Sequence, residues 1–185
     1  MVLFAHGSGS SRLSPRNARV ARVLHQSGIG TLLFDLLTRK EDEIYGNRFN
    51  IDLLAKRLAG ATDWLCEQKE TKNIPLAYFG ASTGAAAALQ ASVRLPDINA
   101  IVSRGGRPDL AWDYLDQVTA PTLLIVGERD QEVIELNRRA FDRLNLEAEK
   151  KQVIIIPGAT HLFEEPGALE EVAMVAKDWF LRFLG

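Results

Sequence analysis

Six short stretches of almost wholly apolar residues recur along this chain, and an amphipathic stretch follows each of them. That alternation restricts the fold more than any other feature. The apolar runs are Val2–Ala5, Thr31–Phe34, Leu76–Phe79, Ala100–Val102, Thr122–Val126 and Gln152–Ile156. Each is short and lacks the polar alternation of a half-exposed strand, so each reads as a strand buried on both faces. Pro15–Gln26, Ile51–Glu67, Thr83–Arg94, Leu110–Gln117, Glu132–Leu144 and Gly167–Phe183 read as helices. Ser14 stands where it can cap the first of these, with Pro15 at the first helical position. Ile51–Glu67 carries Leu54, Leu58, Ala61 and Leu65 on one face. Strands that alternate with helices predict an α/β fold: a mostly parallel sheet of about six strands, covered by helices on both faces in a three-layer α/β/α sandwich. The longest polar interval, Thr38–Asn50, reads as a loop whose charges Lys40-Glu41-Asp42-Glu43 are solvated.

Composition narrows the partners. The 185 residues suit one domain, 1–185, with no insertion long enough for a lid. A net charge of −2 gives no field that favours nucleic acid or an anionic membrane. No apolar run approaches the roughly 20 residues that span a bilayer. The start, MVLFAHGSGSS, has no basic leader, so no signal peptide is expected. Cys66 is the only cysteine, so no internal disulfide forms and a cytoplasmic setting is expected. Cys66 falls in a helical pattern and is expected to be a packing residue. His6, His25 and His161 form no ligand spacing with it, so no metal is expected.

In an open parallel sheet, ligands sit beyond the carboxyl ends of the strands. The residues just after each run are therefore the informative ones. Leu76–Phe79 leads at once into Gly80-Ala81-Ser82-Thr83-Gly84 and then a helix. A strand before and a helix after are the context in which Gly-x-Ser-x-Gly forms a nucleophile elbow. The small residues equally suit close packing of that helix on the sheet. A serine hydroxyl is a weak nucleophile and needs a base, an acid to orient the base, and N–H donors for the oxyanion. Asp130 follows Thr122–Val126, with Glu128 as a rival acid, and it also suits a helix cap. His161 follows Gln152–Ile156. After the first run, His6-Gly7-Ser8-Gly9 offers an oxyanion N–H, from Ser8 or else Gly9, and His6 is expected to brace that loop. The N–H of Thr83 supplies the other. Position 12 is arginine, and no P-loop lysine follows Gly7-x-Gly9, so a phosphate cradle is a poor reading.

The four stretches His6–Gly9, Gly80–Gly84, Gly127–Asp130 and Gly158–His161 together resemble the α/β-hydrolase superfamily, and within it the dienelactone-hydrolase-like group. The likeness spans nearly the whole chain. The stretches LFAHGSGSSR and VSRGGRPDLA look like small hydrolases sometimes fused to phosphoribosyltransferase domains. The resemblance implies Ser82 as nucleophile, Asp130 as orienting acid and His161 as base. It implies an acyl-enzyme mechanism with neither metal nor cofactor, and the lack of a lid insertion predicts an open, shallow site for a small soluble ester or related acyl substrate. Members of the dienelactone-hydrolase group often carry a cysteine nucleophile, and here the residue is serine. A catalytically quiet binding module on the same fold, or an acyltransferase, are the alternatives.

The superfamily pattern usually has two further strands before the one leading into His6-Gly7, so a fold shortened at its N-terminus is expected. Thr31–Phe34 then becomes a sheet edge. An apolar edge invites pairing with another chain, which predicts either a homodimer through residues 31–35 or a truncated start. Arg12, Arg104 and Arg107 follow strand ends and are candidates to hold an anionic group on the substrate, against the plainer role of local salt bridges.

Overall fold

A computed structural model describes all of residues 1–185. Six parallel strands form one sheet in the order β2-β1-β3-β4-β5-β6. They are β1 Val2–Ala5, β2 Thr31–Leu33, β3 Leu76–Ala81, β4 Ile98–Arg104, β5 Thr122–Gly127 and β6 Lys151–Ile156. β1, β3 and β5 are buried along their whole length, which is why their sequences are almost wholly apolar. β2 is an edge, as the sequence predicts, and β6 is the other; both carry mostly half-buried residues, which corrects the expectation that all six strands are buried on both faces.

The helices are α1 Pro15–Gln26, α2 Arg39–Asp42, α3 Ile51–Glu67, α4 Thr83–Arg94, α5 Gln131–Arg143 and α6 Ala168–Leu184. One face of the sheet packs Leu3, Tyr78, Ile101 and Leu124 against α3, α4 and α5. The other packs Phe4, Phe79, Val102 and Ile125 against α1 and α6. Alternate residues of each strand thus feed opposite layers. The sandwich is the predicted α/β/α arrangement.

Ser14 Oγ accepts the Asn17 N–H at 3.3 Å and starts α1. Asn50 Oδ1 does the same for Leu53 at 3.1 Å and starts α3. The buried stripe of α3 is Ile51, Leu54, Ala55, Leu58, Thr62 and Leu65. Thr62 belongs to it because its hydroxyl meets the buried Tyr78 hydroxyl at 2.7 Å. Cys66 lies one step past this stripe and is exposed, which corrects its expected packing role.

The interval 38–50 is more ordered than a solvated loop. Thr38 and Glu41 make a capping box around α2. Arg57 pairs with Glu41, Arg48 pairs with Asp42, and Tyr45–Phe49 forms a 3-10 helix. Opposite charges in tight register turned a polar interval into a compact strap. The segment predicted as a helix at 110–117 is a kinked 3-10 stretch, Pro108–Gln117.

Candidate active site

The carboxyl ends of β1, β3, β4, β5 and β6 bring five loops to one edge of the sheet, and the sequence-predicted residues lie on them. Ser82 caps α4 with φ 51° and ψ −120°, a conformation that L-residues rarely adopt. Its backbone is held on both sides. Its N–H donates to Arg104 O at 3.2 Å, and its carbonyl accepts from Ala85 and Arg107 at 3.1 and 3.2 Å.

Close packing and the sharp turn are one feature here. A Cβ on Gly80 would stand 2.4 Å from Ala85 Cα, and one on Gly84 would stand 2.1 Å from Ala5 O. Both glycines are needed for α4 to rise directly from β3 against the end of β1. Ser82 then stands beside the loop after β1, where a Cβ on Gly7 would stand 3.1 Å from Ser82 Cβ.

His161 Nδ1 and Asp130 Oδ2 are 2.6 Å apart. The Asp130 side chain is largely buried and the His161 ring half-exposed. This places the proton on Nδ1 and leaves Nε2 as the free, basic nitrogen. Glu128 has different work: its Oε2 accepts the Gly158 N–H at 2.7 Å and ties the His161 loop to the end of β5. Gly127 permits this, since a Cβ there would meet Ala159 O at 2.4 Å. Glu165 accepts the Thr160 N–H at 3.1 Å. Thr160 holds that carboxyl below the usual range, through its side chain first and its N–H second.

His6 is buried with both ring nitrogens engaged. Nε2 accepts the Leu36 N–H at 3.0 Å and Nδ1 lies 3.1 Å from Gly7 O. It fixes the loop Gly7-Ser8-Gly9 to the chain after β2. The Ser8 N–H donates to no backbone carbonyl. The Thr83 N–H, first in α4, lies among the helix-end donors that have no partner within their helix.

Each of the three candidate arginines has its own local contact. Arg12 pairs with Asp35 through its guanidinium and its backbone N–H. Burial pulls the Asp35 carboxyl up, and the Arg12 contacts outweigh it, so the group lies below its ordinary value. Arg107 is bidentate to Asp109 at 2.9 and 2.7 Å. Arg104 is buried against the Phe79 ring, 5.9 Å from its centroid, on the α1–α6 side of the sheet. Burial, and then the neighbouring Arg16, pull its pKa down to about 10. Its Nη1 has no partner.

Sequence reasoning missed Arg48. It belongs to the interval 38–50, yet it lines a cleft with Gly7, Ser8, Gly9 and Thr83. Only the strap's ion pairs bring it there, and spacing along the chain does not show them. No helix is long and apolar enough to cross a membrane.

Residues 19–184 match the model of the dienelactone hydrolase family. The solved structure of a dienelactone hydrolase from Anabaena variabilis is similar at 56% identity and TM-score 0.94, covering 100% of this chain and 86% of that one. Est1E from Butyrivibrio proteoclasticus shares the fold at TM-score 0.81 and 16% identity, over 98% of this chain and 86% of its own. A putative phosphoribosyl transferase of Mycobacterium tuberculosis is 58% identical over 186 residues, 100% of this chain and 41% of that protein. The chain thus spans about two fifths of the length of that curated relative.

Proposed function

We propose that this chain, which belongs to the dienelactone hydrolase family, is a serine hydrolase that cleaves a small ester through an acyl-enzyme intermediate. Ser82 Oγ attacks the ester carbonyl, and His161 Nε2 takes its proton. Asp130 holds the imidazole in the Nδ1–H tautomer and stabilises the imidazolium that forms. The carbonyl π pair moves onto oxygen, which the Ser8 and Thr83 N–H groups receive. Collapse expels the alcohol, which leaves with the proton from His161. Water then attacks the acyl-serine with His161 as base, and Ser82 is restored.

The observation that carries this reading is the 2.6 Å contact of His161 Nδ1 with Asp130. It is supported by a serine held at positive φ on the strand-to-helix turn of the same sheet edge. We place the domain in the cytoplasm, where a lone exposed thiol such as Cys66 stays reduced. The relatives named as putative phosphoribosyl transferases contain this domain within a longer chain. We therefore propose that it works beside phosphoribosyl chemistry.

The test is covalent labelling with a fluorophosphonate. Label is expected on Ser82, and Ser82→Ala is expected to lose both the label and p-nitrophenyl acetate hydrolysis. Equal hydrolysis by wild type and Ser82→Ala would overturn the reading.

A further inference from the structure

We infer that Arg48 is a charged third arm of the oxyanion site. Negative charge developing on the carbonyl oxygen is then met by a guanidinium as well as by the Ser8 and Thr83 N–H groups. The inference rests on the serine-hydrolase reading above.

The cleft beside the elbow is lined by Gly7, Ser8, Gly9, Arg48 and Thr83 and also by Asp42, and it has room for about one water-sized group. That suits a single carbonyl oxygen better than a carboxylate or an acyl chain. Two donors around it make no hydrogen bond to the protein. Arg48 gives Nε to Asp42 Oδ1 and Nη2 to Asp42 Oδ2, both at 2.8 Å, and Nη1 makes no hydrogen bond. A Cβ on Gly9 would stand 3.8 Å from that Nη1. The Thr83 hydroxyl is buried and also has no partner.

The arginine is aimed rather than loose. Its fork on Asp42 fixes the plane of the guanidinium. The strap that carries it is tied down by Asn47 Nδ2 to Glu41 O at 2.9 Å and by the pair of Glu41 with Arg57. Arg107 forks on Asp109 as Arg48 does on Asp42, and Arg12 pairs with Asp35, but neither lines this cleft, and Arg104 lies toward α1 and α6.

Attack by Ser82 forms the Oγ–C bond and places a full negative charge on an oxygen that carried only a partial one. A fixed cation stabilises that state more than the ground state, so it acts on kcat rather than on KM. Arg48 stays protonated throughout and transfers nothing.

The experiment compares wild type, Arg48→Gln, Arg48→Lys and Arg48→Ala on a neutral ester, p-nitrophenyl acetate, and on a carboxylate-bearing one, mono-p-nitrophenyl succinate. Binding of a boronic acid, whose adduct with Ser82 is anionic, is measured beside them. Arg48→Gln is expected to lose about 100-fold in kcat on both esters and to weaken the boronate similarly. Arg48→Lys should recover part of the loss. Guanidinium ion added to Arg48→Ala should restore rate, which it would not do for a misfolded strap. A loss confined to the succinate ester, or one carried by KM, would make Arg48 a clamp for a substrate carboxylate and overturn the inference. So would an unchanged rate. If wild type is not labelled at Ser82, the hydrolase reading itself falls. If wild type is labelled and Arg48→Gln turns over as fast, only the role of Arg48 falls.

Discussion

At Gly84 the first atom of any side chain would stand 2.1 Å from Ala5 O and 2.6 Å from His6 O. Both are backbone atoms of β1 and its loop, so neither can swing aside. Gly84→Ala is therefore expected to destabilise the fold by about 3 kcal/mol. The urea midpoint should fall with the m-value unchanged, and Ser82 labelling should fall with it as the elbow shifts. Arg104 points the other way. It is a buried cation whose Nη1 lacks an acceptor, and burial makes its charged form costly. Its pKa is drawn down to about 10. A depressed base means that the folded chain holds fewer protons than the unfolded chain above about pH 10, so this group adds stability as pH rises from about 10 toward the ordinary arginine value. Below pH 10 its cost is constant. Arg104→Met is expected to raise Tm near neutral pH, by about 1 to 3 kcal/mol in stability. An unchanged or lower Tm would show that the guanidinium is compensated. The spacing of Arg104 after β4 is plain in the sequence. Its burial on the α1–α6 side is not, because that depends on which face of β4 the last residue takes.

Among the elements, the two ends of the sheet differ from its middle. β2 offers a half-buried apolar edge through Leu32 and Leu33, and its outer backbone groups have no strand beyond them. Such an edge is a template for pairing. We expect the chain to sediment as a dimer and Leu33→Lys to sediment as a monomer while Ser82 labelling persists. Wild type that stays monomeric would leave the edge without that role. The strap 38–50 makes the complementary point. Its composition is polar, and periodicity offers nothing there, so it reads as a loop. Its order comes from the Thr38–Glu41 capping box and the pairs Glu41–Arg57 and Asp42–Arg48. Contacts of this kind between side chains up to 16 positions apart leave no periodic trace.

For the molecule as a whole, the order of motifs along the chain carried more information than any single motif. Burial on both faces forces the inner strands to be apolar throughout, so the positions of the six strands, five of the six predicted helices and the parallel α/β/α architecture were legible in the sequence alone. The same reasoning placed Ser82, Asp130, His161, Ser8 and Thr83 just beyond strand ends. What only the tertiary structure decided is which of these groups meet. Asp130 faces His161 while Glu128 ties the loop, and only one residue lies between them. Arg12 and Arg107 are drawn into local pairs, and Arg48 is carried to Gly9 by a strap that looked solvated. The physical reason is range. Burial pattern is set residue by residue and is written in composition, whereas a hydrogen bond is made or lost within about half an ångström. That precision comes from the register of neighbouring strands and the packing of loops across their ends, and one-dimensional spacing holds neither.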